Sequence, residues 1–141
     1  MKNETRLALS PGLLTLILFG LTLMFDGHQV IAQKDNDIFM VVEDPPTYPG
    51  GDTARIQFLQ QNIIYPKNAR ETNIQGIVYV TFVIEKDGAV NDVKVLKGIG
   101  GGCDEETIRV VGAMPKWKPG YHRGKPVRVQ YNMPVKFTLA N

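Results

Sequence analysis

Cysteine occurs once in the 141 residues, as Cys103, so no disulfide can form within the chain and the fold must rest on a packed core. Histidine occurs twice, as His28 and His122, and no spacing typical of metal ligands is present. A charge excess is missing too. The 16 Lys plus Arg against 14 Asp plus Glu leave a net +2, which does not suggest a nucleic-acid partner. The local basic run of Lys116, Lys118, Arg123, Lys125 and Arg128 reads as a solvated loop. There is no internal repeat, and the length leaves room for one domain with some extra sequence, excluding a second catalytic domain.

The one long apolar run covers residues 13–25 and is interrupted only by Thr15, Gly20 and Thr22. Lys2 and Arg6 precede it, and a polar stretch ending in Val30, Ile31 and Ala32 follows, which is the three-part layout of a secretory signal peptide. Cleavage after Ala32 leaves a chain starting at Gln33 with 14 basic and 12 acidic residues. The alternative is an uncleaved anchor over residues 7–25, weakened at its start by Ser10, Pro11 and Gly12. Both place the rest of the chain outside the cytoplasm.

Residues 33–47, with Asp44, Pro45 and Pro46 followed by Tyr48, Pro49, Gly50 and Gly51, read as an extended lead-in to a domain over residues 48–141. Asp52 is placed to cap a helix starting at Thr53, with Ala54, Ile56, Phe58, Leu59 and Ile63 mostly on one side. A short turn of helix is expected after Tyr65 and Pro66, with Pro66 at its first position and Ala69 inward. From Ile77 the apolar period changes to two, through Val78, Val80, Phe82 and Ile84. A tight turn at Asp87-Gly88 then pairs Phe82 with Val93 and Val80 with Val95 in a hairpin.

Acidic residues Asp104, Glu105 and Glu106 open a second main helix, with Ile108, Val111, Ala113 and Met114 expected inward, Pro115 as its stop and Trp117 returning to the core. Val127, Val129, Tyr131, Met133, Val135, Phe137 and Leu139 then alternate with mostly polar residues, the mark of a half-buried strand. Pro134 lies on the polar set. A proline has no N–H to give a neighbouring strand, so this last strand is expected at a sheet edge, with the backbone groups of Arg128, Gln130 and Asn132 on the open side. The fold class is α+β, a small three-stranded antiparallel sheet with two main helices on one face.

No enzyme site emerges. The glycines at 98, 100, 101 and 102 precede a helix, yet no Lys with Ser or Thr follows, and three acidic residues there repel phosphate. Cys103 reads as a structural thiol, and Glu85, Asp87 and Asp92 as solvated residues around a turn. No cofactor or metal is implied.

The distinctive residues are Tyr65-Pro66, Gly76 before a strand, Asp87-Gly88, Met114-Pro115-Lys116-Trp117-Lys118-Pro119-Gly120, Gly124-Lys125-Pro126-Val127 and Pro134-Val135-Lys136-Phe137. In order and spacing they resemble the TonB C-terminal domain over residues 48–139. That resemblance implies a periplasmic domain of Gram-negative bacteria that grips the TonB box, a short extended segment of outer-membrane receptors for iron chelates, vitamins or glycans. It implies a mechanical coupler and not an enzyme, driven by the ExbB-ExbD motor. The receptor segment would add as a strand along Val127, Arg128, Val129, Gln130, Tyr131 and Asn132, with Tyr65 and Pro66 nearby. An open edge also allows two copies to pair as a homodimer.

The N-terminal part departs from the family pattern. No histidine lies within residues 7–25, and the residues from Asp26 to Tyr48 span at most about 80 Å when extended. Two functions therefore stand side by side, an anchored energy transducer and a soluble periplasmic peptide-binding or scaffolding module.

Overall fold

Strand β2 (Gly76–Ile84) carries Val78, Val80, Phe82 and Ile84 on one face, and all four are buried. Strand β5 (Lys125–Phe137) presents Val129, Met133, Val135 and Phe137 to the same interior. The two run antiparallel in unbroken register from Gly76 opposite Phe137 to Ile84 opposite Val129, so their apolar sides coincide along the whole overlap. The structure, a computed structural model, describes residues 34–140. The signal peptide or anchor expected over residues 1–32 lies outside the described residues.

Among the described residues five strands are present where three were expected. Besides β2, β3 (Val90–Lys97) and β5, the chain forms β1 (Ile38–Phe39) and β4 (Gly120–His122). Strands of two and three residues are too short to carry a readable alternation. The order is β1-β5-β2-β3, with β4 also paired to β5, and β1 runs parallel to β5.

The hairpin forms with two departures from the expected register, one of them where Tyr79 faces Lys97 and not Leu96. Val80 faces Val95 as expected, but the Glu85 N–H bonds to the Ala89 carbonyl and Val83 faces Asn91. This start is one residue off that of a two-residue turn. The shift is absorbed between Thr81 and Val83, beside Asp92 in a left-handed conformation at φ 50°, so Phe82 loses Val93 as its direct partner.

Helix α1 (Gly51–Asn62) starts from Gly50, which is left-handed at φ 84°, without a side-chain cap. Asp52 is therefore inside the first turn, where it pairs with Arg55 at 3.3 Å, and does not serve as the expected cap. Helix α2 (Lys67–Glu71) has Pro66 at its cap, one residue before the expected place, and buries Ala69. Helix α3 (Cys103–Gly112) buries Thr107, Val110 and Val111, with Met114 beyond its end, while Ile108, 42% exposed, and Ala113, also exposed, are not inward. The Thr107 hydroxyl donates to the Cys103 carbonyl at 2.8 Å, which satisfies its polar group within the helix and lets the residue face the core.

Leu59 of α1, Ala69 of α2 and Val110 and Val111 of α3 join one core with the β2 and β5 residues. Trp117 is buried there, with ring contacts of 5.5 Å to Tyr48, 5.7 Å to Phe82 and 5.0 Å to Tyr131. The Trp117 N–H donates to the Gly88 carbonyl at 2.9 Å, joining this aromatic cluster to the hairpin turn. Gly88 has φ 87°, and a Cβ there would fall 1.8 Å from the Trp117 carbonyl oxygen. Gly88→Ala is therefore expected to destabilise the domain by at least about 2 kcal/mol, from combined strain and overlap, measured as a loss in urea unfolding free energy.

Candidate functional site

A β-sheet leaves two rows of backbone groups unpaired, and the two edges here differ. On the β3 side the strand is irregular twice, contains the left-handed Asp92 and exposes Lys94 and Lys97. Bulges and edge lysines hinder the addition of another strand. The β5 side is regular but shared. On the side away from β2, Arg128 and Val129 pair with β1, whereas β4 pairs with Lys125, Pro126 and Val127 through the odd-numbered groups that face the β2 side. From Gln130 to Phe137, among the described residues, no strand pairs with β5 on the side away from β2.

Pro134 determines which groups face outward on that stretch. It stands opposite Tyr79 inside the unbroken ladder, where a proline is tolerated when its nitrogen points away from the neighbour. Even-numbered residues share this direction, so the N–H and C=O groups of Gln130, Asn132 and Lys136 point to the open side, with the carbonyl of Pro134 between them. Arg128 shares it as well, but its outward groups face β1.

Along this open stretch lies a groove of about 490 Å³. Ile56, Leu59, Gln60 and Ile63 of the α1 segment and Tyr65 form one wall, and Pro134, Lys136, Phe137 and Thr138 form the other. Ile56 is 49% exposed on this wall, an apolar side chain without a core role. Nearer the hairpin, Arg55 Nη1 donates to the Tyr131 hydroxyl at 2.8 Å. At the other end Tyr65 meets Phe137 edge to face at 5.7 Å, and its hydroxyl donates to the Ile74 carbonyl. Burial pushes the Tyr65 phenol pKa up, which keeps it a neutral donor.

The helical wall is held from behind. Arg109 donates to the Asn62 carbonyl at 2.8 Å, and the Ile64 N–H donates to a Glu106 carboxylate oxygen at 2.8 Å. Glu106 also pairs with Arg109 at 2.6 Å, and this guanidinium, followed by the Ile64 N–H, holds the Glu106 carboxyl below the usual range. The C-terminal end of α1 is thereby tied to α3.

The expected site residues separate into three groups. Tyr65 lines the groove, while Pro66 caps α2 and lies against Gly102. Val127 is opposite Gly120 of β4, Val129 is buried between Phe39 and Ile84, and Arg128 bonds Glu85 at 2.7 and 3.1 Å and the Asn36 carbonyl at 3.1 Å. Gln130 donates to the Thr81 hydroxyl at 3.1 Å, Tyr131 joins the aromatic core, and Asn132 is exposed on the open stretch. Ile56, Leu59, Gln60 and Ile63 were not foreseen as part of the groove. The available signal was Ile56, an apolar residue between polar Arg55 and Gln57.

The geometry suits main-chain recognition of an extended chain, with side-chain specificity from the apolar wall. Among the described residues no three His, Cys, Asp or Glu side chains cluster as metal ligands. Cys103 is buried, and burial followed by Asp104, Glu105 and Glu106 pushes its thiol pKa up, which keeps it protonated.

The family described as "Gram-negative bacterial TonB protein C-terminal" matches residues 61–139. Two solution structures of the Helicobacter pylori TonB C-terminal domain are similar to this chain. The one covering residues 179–285 of that protein is 25% identical, with 66% of this chain and 88% of that chain covered and a TM-score of 0.45. The shorter one, residues 194–285, is 26% identical, with 61% and 91% covered and a TM-score of 0.42. A comparison with curated proteins finds no match.

The Glu85–Arg128 pair gives the sheet face a testable pH dependence. Arg128, by its hydrogen bonds, holds the Glu85 carboxyl below its ordinary value of 4.5, with a smaller contribution from Asn91. A depressed folded-state pKa adds stability that is present above the unfolded value and lost as pH falls through the folded one. The urea midpoint of the native protein is expected to fall as pH is lowered below about 4.5, and Glu85→Gln is expected to have a lower midpoint at neutral pH with a smaller acid-dependent drop.

Proposed function

Because the chain belongs to the family of Gram-negative TonB protein C-terminal domains, we propose that it binds the TonB box of outer-membrane receptors in the periplasm, for energy-coupled transport of iron chelates, vitamins or glycans. The observation that carries this reading is the unpartnered stretch of β5 from Gln130 beside the groove under α1. A receptor segment would add as a strand, bonding the outward groups of Gln130, Asn132 and Lys136, with alternate side chains toward Ile56, Ile63 and Tyr65. This docking stretch begins where the pairing of β1 with Arg128 and Val129 ends. TonB domains are periplasmic and act as binding and energy-transducing modules.

Two forms of this function differ in how the chain is tethered. An anchored chain coupled to the ExbB-ExbD motor would accumulate intact and membrane-bound from Met1. A free periplasmic module that caps or scaffolds receptor segments would accumulate as a soluble chain starting near Gln33. N-terminal sequencing and membrane fractionation of the protein from its host separate them.

The binding mode is tested at Asn132, whose side chain is exposed and whose N–H points outward. Proline there removes a donor from the docking edge while leaving the β2 ladder paired. Synthetic peptides covering the periplasm-facing N-terminal segments of the host's outer-membrane receptors are expected to bind the native protein. Asn132→Pro should bind them at least about tenfold more weakly, a change of about 1.4 kcal/mol, with a near-native urea midpoint. Undiminished affinity in a folded Asn132→Pro protein overturns the strand-addition reading.

A further inference from the structure

The chain's own lead-in lies on the edge that a visiting strand would use. Its root is firm. Asp44 and Tyr121 exchange two backbone hydrogen bonds of 3.1 and 2.9 Å, Thr47 and Lys118 exchange two more of 3.1 and 2.9 Å, and Tyr48 is buried. Its tip is not. Residues 38 and 39 pair with Arg128 and Val129 over two positions only, helped by the Asn36 carbonyl on Arg128, an exposed Asp35–Lys86 ion pair and a 5.2 Å contact between the Phe39 and His122 rings. Between root and tip, Met40 is 71% and Val41 84% exposed, so neither side chain anchors this connection to the domain.

We propose that the tip of the lead-in is a displaceable strap that competes with the incoming strand for the β5 edge. This rests on the strand-addition reading above. With the strap in place, docking starts at Gln130; with it lifted about Met40 and Val41, the outward groups of Arg128 are released and the receptive edge lengthens toward the β4 hairpin. The parallel pairing matters here. The strap occupies the same row that a visitor would extend, so a visitor long enough to pass Gln130 must remove it. Apparent affinity for such a visitor is lowered by the fraction of molecules with the strap closed.

The experiment compares the native full chain with Phe39→Pro, which deletes one backbone donor from the strap and the ring against His122 while leaving the buried root intact. The probes are the receptor-segment peptides named above, made in lengths of about eight and about twelve residues, on the order of one strand and one strand with overhang. Phe39→Pro is expected to bind the longer peptides about tenfold more tightly than the native chain and the shorter ones equally. In the native chain, saturation with a longer peptide is expected to remove hydrogen-exchange protection at the Phe39 amide. That measurement does not depend on the variant folding.

Equal affinity for the longer peptides in both chains, or Phe39 protection that survives saturation, overturns the strap while leaving strand addition standing. Weaker binding by Phe39→Pro also overturns it, since β1 would then support the visitor. Absence of binding by any peptide overturns both readings.

Discussion

The nine-residue ladder between β2 and β5 is the constraint on which the other features depend. It aligns two apolar faces in one register, so Val78, Val80, Phe82 and Ile84 meet Met133, Val135 and Phe137 in the core beneath the helices. A slip of one residue would turn all of these side chains to the opposite face. Because the ladder is unbroken, it also determines the outward direction of every even-numbered β5 residue, including Pro134 and Asn132. Core packing and the orientation of the docking edge are thus two consequences of one register.

Two polar networks keep the sheet and helix α1 in their places. Arg128, joined to Glu85 by two hydrogen bonds, lies on the face opposite the helices, where Thr81 and Val83 are also buried. Gln130 reinforces this face through Thr81. Arg109 of α3 binds the Asn62 carbonyl, one of the groups that a helix C-terminus leaves unpaired, and Glu106 binds the Ile64 N–H just beyond it. That tie adds to the packing of Leu59 and the Arg55–Tyr131 hydrogen bond in holding the wall that carries Ile56 and Ile63 against β5. Under the proposed strand addition, a preformed wall would lower the ordering cost of binding, because less of the site would have to be organised when a segment arrives.

Membership of the TonB C-terminal family and an open strand beside a groove are the two observations behind the proposed capture of an extended segment. The unequal edges add selectivity of a simple kind. β3 is protected by its irregularities and lysines, whereas β5 from Gln130 onward has regular geometry and no covering strand among the described residues. The same contrast bears on self-association, since pairing of two copies would use the β5 edge and compete with a bound segment.

Much of the fold was legible along the chain. The alternations in β2 and β5, the helix stop at Pro115, the return of Trp117 to the core and the meaning of Pro134 follow from side-chain period and backbone chemistry alone, which are local properties. Asp52 as a cap, Phe82 opposite Val93 and Ile108 as an inward residue were misjudged where a neighbouring glycine, a bulge or an internal hydroxyl bond supplied a competing local solution. Sequence alone determined that a long strand carries a proline with its missing N–H turned outward. Tertiary structure decided how much of that strand is free, because β1 is too short to leave a pattern and finds its place through backbone pairing, while the α1 wall depends on contacts between residues more than 40 positions apart.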